Sequence, residues 1–333
     1  MRALKQRFSE DDFVAAIARA IGQQPRRLRV GIGDDAAVWK ARRSHLSLIS
    51  TDALTDGVHF RAERSTPQAL GHKALAQNLS DIAAMGGSPV LVVVAMGITA
   101  VVDDGWGRAF YAGLSALAAR AHCAIAGGDI FRAAALTFAL TVVGEVRASR
   151  LRLRSGARPG DYLCVTGPLG LAAAGLRITQ SMRALVGEAD GATLLRAYEM
   201  PQPRLLEGRF LGATRAVHAL MDVSDGLSSD VARMARASGV DACIELQRLV
   251  PSPPLASFHD ALDLMLHGGD DYELLVAVEP RALAHVQRRF QARFKRALSV
   301  IGRCEKGDGD VYAVDASGRR PLVAGGFDHF SQA

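Results

Sequence analysis

The sequence has little cysteine: Cys123, Cys164, Cys243 and Cys304 in 333 residues, widely spread, mostly among apolar neighbours, with no CxxC pair. That excludes a disulfide framework and a cysteine zinc site, and reads as reduced structural thiols. No apolar run reaches the roughly 18 residues of a membrane helix, and the opening MRALKQRFSEDD has no signal-peptide core. A soluble, cytoplasmic protein without a membrane partner is expected. Lysine is scarce, five of the forty basic residues, and the formal charge of +6 rests on scattered arginines. No basic block carries interleaved aromatics, so the charge reads as a solvated surface and no nucleic-acid partner is expected. The familiar phosphate loops are missing as well. There is no GxxxxGKS or GxxxxGKT, and GIGDDA keeps only two glycines of GxGxxG, with two acids where a pyrophosphate would approach.

What is present is a long chain, 49% hydrophobic, with 33 glycines. That length suits two domains. Residues 11–24 read as a helix, AAVWK and LSLIST as strands, and Thr66–Pro67 as a helix start that runs to Gly86–Gly87. PVLVVVAMGI reads as a buried strand, Asp103–Asp104 opens a second helix to about Ala121, and CAIAGGD and LTFALTVVGEV are strands. The basic stretch RLRLRSGARPG is taken as the boundary between domains at 1–149 and 150–333. Beyond it come strand DYLCVTG, a helix from Leu171, two helices separated near GEADG, strand AVHALMDVS, helix SSDVARMARASG and the turn and strand HGGDDYELLVAV. The fold class is mixed α/β in two domains.

The informative feature is where the acids sit. Five times an apolar run empties into small residues and then aspartate: GIGDD (Asp34, Asp35), LISTD (Thr51, Asp52), IAGGD (Asp129), LMDVSDG (Asp222, Asp225) and HGGDD (Asp270, Asp271). Asp81 lies late in the first long helix, on one face with Lys73 and Gln77, beside Asn78. Each case has a plain explanation in turn chemistry or helix capping, and SDGLSSD taken alone reads as a cap. Five repetitions exceed what capping needs. The other reading is a set of hard oxygen ligands, to which Ser50, Thr51 and Ser224 add oxygens. Such a set suits magnesium and not zinc or iron, and phosphate is its natural companion. VTGPLG, a glycine turn before a helix, is a candidate anion cradle.

The ordered series GIGDDAAV, STD-x5-HF, GHKALAQNLSDIAAMGGSP, FYAGL, GGD, RSGARPGD, VTGPLG, PQPR, DVSDGLSSD, GGDDYELL and GFDHF resembles the thiamine-monophosphate kinase family. Its superfamily includes aminoimidazole ribonucleotide synthetase, selenophosphate synthetase and a hydrogenase-maturation protein. The resemblance runs from residue 31 to residue 330; NLSDIAAMG and GGDDYEL are its most specific parts. It implies a homodimer whose N-terminal domain, with a mixed sheet, binds ATP and magnesium and forms the dimer interface. The C-terminal α/β domain would complete the phosphate and substrate site. It implies in-line transfer of the γ-phosphoryl group of ATP to thiamine monophosphate, with no general base. By motif, Asp35, Ser50, Thr51, Asp52, Asp81, Asp129, Asp222 and Asp225 resemble the ligands of several Mg2+ ions. Tyr111, Gly128, Asp129, Arg154 and Ser224 resemble the ATP contacts, and His59, Asp270 and Phe327 the substrate contacts. The family usually has Glu where this chain has Asp270.

Two other readings are weighed. A selenophosphate synthetase would carry a reactive cysteine near its N-terminus, whereas the first here is Cys123; a hydrogenase-maturation relative would end in cysteine, whereas this chain ends SQA. A non-catalytic nucleotide or thiamine-phosphate binding protein would not need so many acids.

Overall fold

A computed structural model of the chain describes residues 14, 17–19, 21, 24–32, 36–100, 102–182 and 187–326. The expected helix over residues 11–24 therefore lies largely outside the described residues, as do Asp34, Asp35 and Phe327. The chain divides into two compact units, one of residues 1–78 and 89–145, the other of residues 79–88 and 146–333. The short segment 79–88 joins the second unit because Ala83 and Ala84 pack into an apolar cluster with Leu211, Leu220 and Phe290. Among the described residues no helix is long and apolar enough to cross a membrane.

In the first unit, β1 (Leu28–Val30) and β2 (Val38–Trp39) pair antiparallel, with GIGDD in the connection between them. Then follow β3 (Leu46–Thr55), α1 (Pro67–Ala84), β4 (Ser88–Ile98), α2 (Asp104–Ala121), β5 (Ala124–Arg132) and β6 (Thr137–Val146). The sheet order is β3-β6-β4-β5, and β4 and β5 run parallel. Helix α2 starts where the Asp103 carboxylate accepts the Trp106 N–H at 2.7 Å and ends at His122 in the left-handed conformation. Two glycines let α1 and α2 touch backbone to backbone. A Cβ on Gly71 would lie 2.0 Å from the Phe110 carbonyl oxygen, and one on Gly113 1.9 Å from that of Gln68. Beside them Phe60 stacks on Phe138 at 5.6 Å, and Phe110 meets Phe138 at 4.6 Å. The polar stripe of α1 does not meet water: Lys73, Gln77 and Asn78 are all buried.

The second unit comprises β7 (Tyr162–Val165), α3 (Leu171–Arg177), α4 (Glu188–Glu199), α5 (Leu205–Gly212), β8 (Val217–Val223), α6 (Leu227–Ser238) and β9 (Val240–Glu245). It continues with α7 (Ala261–His267), β10 (Glu273–Val278), α8 (Leu283–Phe294), β11 (Ser299–Lys306), β12 (Val311–Asp315) and β13 (Gly318–Pro321). The sheet order is β13-β12-β9-β11-β7-β10-β8. Its pairs are antiparallel apart from β12 with β9. Every residue of β10 is buried, which is why ELLVAV reads as a continuous apolar run with no alternation.

One local expectation holds and two features are added. The break between α3 and α4 falls next to GEADG as expected: Gly187 precedes α4, and Glu188 and Asp190 in its first turn complement the positive end of the helix dipole. The stretch RLRLRSGARPG is irregular yet pinned along β8: Leu153 accepts the Leu220 N–H at 3.1 Å, and Gly156 sits on the His218 carbonyl. Strand β9 follows α6 after the single left-handed Gly239, a connection too short to advertise itself. All four cysteines are buried, and burial pushes the Cys123 and Cys164 thiols up to about 12, away from reactivity.

Replacing Gly113 by alanine would drive its methyl into the Gln68 carbonyl. Denaturant unfolding should show Gly113→Ala losing about 3 kcal/mol; a loss within experimental error would mean the helices are not in backbone contact.

Candidate functional site

In the first unit the candidate residues gather on two strands and one helix. Strand β3 alternates, so Ser50 and Asp52 share the half-buried face with Leu54 while Thr51 lies on the exposed face with Ile49. The Thr51 hydroxyl donates to the Leu140 carbonyl at 3.0 Å and accepts from Thr141 at 3.1 Å, so it serves the strand pairing and faces away from Asp52. On β5 the register with β4 shifts by one residue before Gly127, and Gly128 then presses on the Val94 carbonyl, where a Cβ would stand at 2.0 Å. No side chain fits there. The bare backbone next to Asp129 borders a cavity of about 470 Å³, lined by Tyr111, Gly128, Asp129, Gly31, Ile32 and Ile130 among others. Three of the expected ATP contacts thus surround one space. Tyr111 is buried, and burial pushes its phenol well above the ordinary value. His59 sits in a tight loop after β3 anchored by the buried Phe60; the Thr55 N–H donates to its Nδ1 at 3.0 Å, which leaves the proton of the neutral ring on Nε2.

In the second unit Asp222, at the end of β8, is buried and its Oδ2 accepts the Ser80 hydroxyl at 2.6 Å. Burial and, after it, the neighbouring Asp81 carboxylate push Asp222 far above its ordinary value of 3.8. Protonation of Asp222, or a cation beside it, would relieve that cost. Ser224 and Asp225 form the next turn, and it is not a cap: Gly226 starts α6 with no side-chain bond. Instead Asp230, one turn into the helix and fully buried, reaches back to accept the N–H groups of Ser224 at 3.0 Å and Asp225 at 3.2 Å. Arg233 bridges Asp230 and Asp225 at 2.5 Å to each. Burial lifts Asp230 to about 6 in spite of that guanidinium. Arg154 is exposed, and its carbonyl accepts the Ser238 hydroxyl at 2.9 Å.

The GGDDY loop lies against this turn. The Asp270 N–H donates to the Ser224 carbonyl and the Tyr272 N–H to that of Val223, both at 2.8 Å. The Asp271 carboxylate accepts from Gly170 at 2.7 Å and Ala172 at 3.4 Å, so it occupies the start of α3. VTGPLG is therefore not an open anion cradle; a carboxylate of the chain already holds its N–H groups. Beyond it Glu273, with 2% of its surface exposed, accepts from Arg204 at 2.7 and 2.9 Å, Arg296 at 2.7 Å and the Thr166 hydroxyl at 2.6 Å. Burial alone would raise this carboxyl, but Arg204 first and then Arg296 and Thr166 hold it below its ordinary 4.5. Of the C-terminal tail, Gly325 and Gly326 are described; their N–H groups meet Ser228 Oγ at 3.3 Å and Ser229 Oγ at 3.1 Å.

Sequence reasoning singled out neither Ser80, Asp230 nor Glu273 as site residues. Asp230 closes the DVSDGLSSD motif and Glu273 lies within GGDDYELL, so both stood inside motifs already quoted; Arg296 carries no local signal. Among the described residues no three His, Cys, Asp or Glu side chains gather closely enough to hold a metal ion. The donors are carboxylate and hydroxyl oxygens, and the buried Asn78 Oδ1 has no hydrogen-bond partner among the described residues. That chemistry fits a hard divalent cation that takes its remaining ligands from water and phosphate.

Comparison with known proteins covers both units. The AIR synthase related protein N-terminal domain matches residues 33–146 and the AIR synthase related protein C-terminal domain residues 158–315. The thiamine-monophosphate kinase of Escherichia coli (strain K12) is 35% identical over 315 residues, 91% of this chain and 93% of that one. The crystal structure of thiamine-monophosphate kinase from Stenotrophomonas maltophilia K279a matches with TM-score 0.81 and 33% identity, over 92% of this chain and 96% of that one. AaThiL complexed with AMPPCP and TMP matches with TM-score 0.75 and 28% identity, over 98% of this chain and all of that one (100%).

Two outcomes follow from this geometry. Glu273→Gln leaves two guanidiniums without their buried counter-charge and should lower the unfolding free energy by about 3–5 kcal/mol; a change under about 1 kcal/mol would show the cluster to be solvated. Asp222 has a raised value in the folded chain, so the folded state holds the extra proton. In metal-free protein its contribution is complete below the unfolded value near 4 and is lost as pH rises above it. The thermal midpoint should fall less steeply over that range in Asp222→Asn, and an unchanged slope would show that burial and the neighbouring acids do not raise Asp222.

Proposed function

The chain belongs to the thiamine-monophosphate kinase family of AIR synthase related proteins, and from that membership we propose that it transfers the γ-phosphoryl group of ATP to thiamine monophosphate, giving thiamine diphosphate. It is a phosphotransferase with a phosphate group as acceptor. The observation that carries the reading is the cavity at β5, which Tyr111, Gly128 and Asp129 border together. It offers an apolar wall and a two-glycine stretch, Gly127–Gly128, where a nucleotide can approach the backbone closely. Arg154 and Ser224 are the nucleotide contacts proposed in the second unit, and His59, Asp270 and Phe327 are proposed for thiamine monophosphate.

The chemistry asks little covalent work of the chain. A phosphate monoester, with its second pKa near ~6, already presents an oxygen anion at neutral pH. That oxygen attacks the γ-phosphorus while the bond to the ADP oxygen breaks, in line and without a phosphoenzyme. The residues that would hold Mg2+ are Asp35, Ser50, Thr51, Asp52 and Asp129 in the first unit and Asp81, Asp222 and Asp225 in the second. Given the side-chain direction of Thr51, its share falls to the main chain. Bound there, the ions would supply charge neutralisation between two polyanions. The chain's own part is to fix the acids before substrate arrives. Asp230 does so by holding the Ser224–Asp225 turn, and Ser80 by orienting Asp222. We also read the protein as a cytoplasmic homodimer, supported by the apolar exposure of the edge strand β3, where Ile49 is 73% exposed.

Purified protein given ATP, Mg2+ and thiamine monophosphate should form thiamine diphosphate; folded protein that binds ATP and forms none would reject the assignment. Asp52→Asn and Asp129→Asn should lose turnover by a factor on the order of 100 or more with the thermal midpoint retained. Incubation with labelled ATP alone should leave no label on the protein.

A further inference from the structure

The backbone does something unusual at the start of β10. Asp270 and Tyr272 both adopt positive φ, 67° and 50°, although neither is glycine. Left-handed conformations at such residues are unfavourable and persist only where the surroundings hold them. Here the surroundings do so from every side. The N–H groups of both residues are bonded to the Ser224 and Val223 carbonyls, Asp271 between them is fastened to the start of α3, and Glu273 after them is locked by two arginines. Along this contorted path the Tyr272 phenol, on a residue only 5% exposed, turns back and donates to Asp270 Oδ1 at 2.9 Å.

We propose that Tyr272 is a positioning residue for the acceptor substrate, its hydroxyl orienting the Asp270 carboxylate toward the cationic heteroaromatic part of thiamine monophosphate. This rests on the reading of Asp270 as a substrate contact given above. A carboxylate has about four acceptor sites, and the phenol bond to Oδ1 fixes the direction of the group. A short side chain held in one rotamer loses less freedom on binding, and the saving appears as affinity for the ligand that needs it. Thiamine monophosphate carries a permanent positive charge on its thiazolium ring and an amino group on its pyrimidine, both of which a fixed carboxylate recognises. The phosphates of either substrate would be repelled by it. The effect of the phenol therefore falls on the acceptor and not on ATP. A buried phenol that merely satisfied its own hydrogen bond would show no such split.

The test is a double-mutant cycle of Tyr272→Phe and Asp270→Asn in the full chain, with KM measured separately for ATP and for thiamine monophosphate. Tyr272→Phe removes one oxygen and keeps the ring, so the thermal midpoint is checked but should hold. The expected result is a KM for thiamine monophosphate raised roughly tenfold, with the KM for ATP and kcat within about twofold. In the Asp270→Asn background the same substitution should add nothing further. A normal acceptor KM in Tyr272→Phe, with a raised one in Asp270→Asn, overturns this inference and leaves the substrate role of Asp270 standing. A normal acceptor KM in Asp270→Asn removes that role and the inference with it. A Tyr272→Phe effect that persists undiminished beside Asp270→Asn, or that strikes both substrates equally, also overturns it.

Discussion

The Glu273 carboxylate, buried and met by two guanidiniums and the Thr166 hydroxyl, is the tie on which the loops of the second unit depend. It is the first residue of β10, so fixing it fixes where that strand begins and hence the path of the three residues before it. Through Thr166 it also holds the turn after β7, and through Arg204 the entry to α5. Ion pairs of this kind contribute little net stability, because desolvation consumes most of the attraction. What they do supply is geometry, since only one arrangement satisfies all the donors at once. The GGDDY loop inherits that single arrangement, and with it the left-handed Asp270 and Tyr272.

Around this tie the chain crowds acids that repel one another. Asp222 and Asp81 raise each other's cost of ionisation, and Asp230 adds to it. A protein that needed only stability would not keep them. The arrangement makes sense if the repulsion is relieved by a cation when substrates bind, which places unfavourable charge where it favours binding. Arg233 supplies a counter-charge from the chain itself, bridging Asp225 and the fully buried Asp230 that holds the turn.

The first unit solves its positioning problem by close approach in place of charge. Gly71 and Gly113 bring α1 and α2 into backbone contact, and Gly128 brings β5 onto β4. Each contact would be lost to a single methyl group. They set the sheet so that the bare backbone of Gly127 and Gly128 borders the cavity, with Asp129 at its rim. The aromatic stack of Phe60 and Phe138 then carries the loop bearing His59.

Much of this was legible in the order of residues. Period-two alternation in LSLISTDALT and LTFALTVVGEV, the Pro67 helix start and the acid-after-glycine pattern are local, and local physics decides them. The series of motifs was enough for the family. The sequence could not show that the polar stripe of α1 is buried, that SDGLSSD is held from within by Asp230, or that Asp271 closes the VTGPLG turn. Nor could it show that Thr51 turns away from Asp52, beyond the bare alternation of a strand. Those outcomes depend on partners between five and more than one hundred residues apart in sequence, such as Ser224 with Asp230 and Thr166 with Glu273. A carboxylate in a glycine turn can be a cap, a ligand or a counter-ion with the same neighbours in sequence. Which one it becomes is set by the donors that arrive from elsewhere in the chain, because burial without them is too costly to persist.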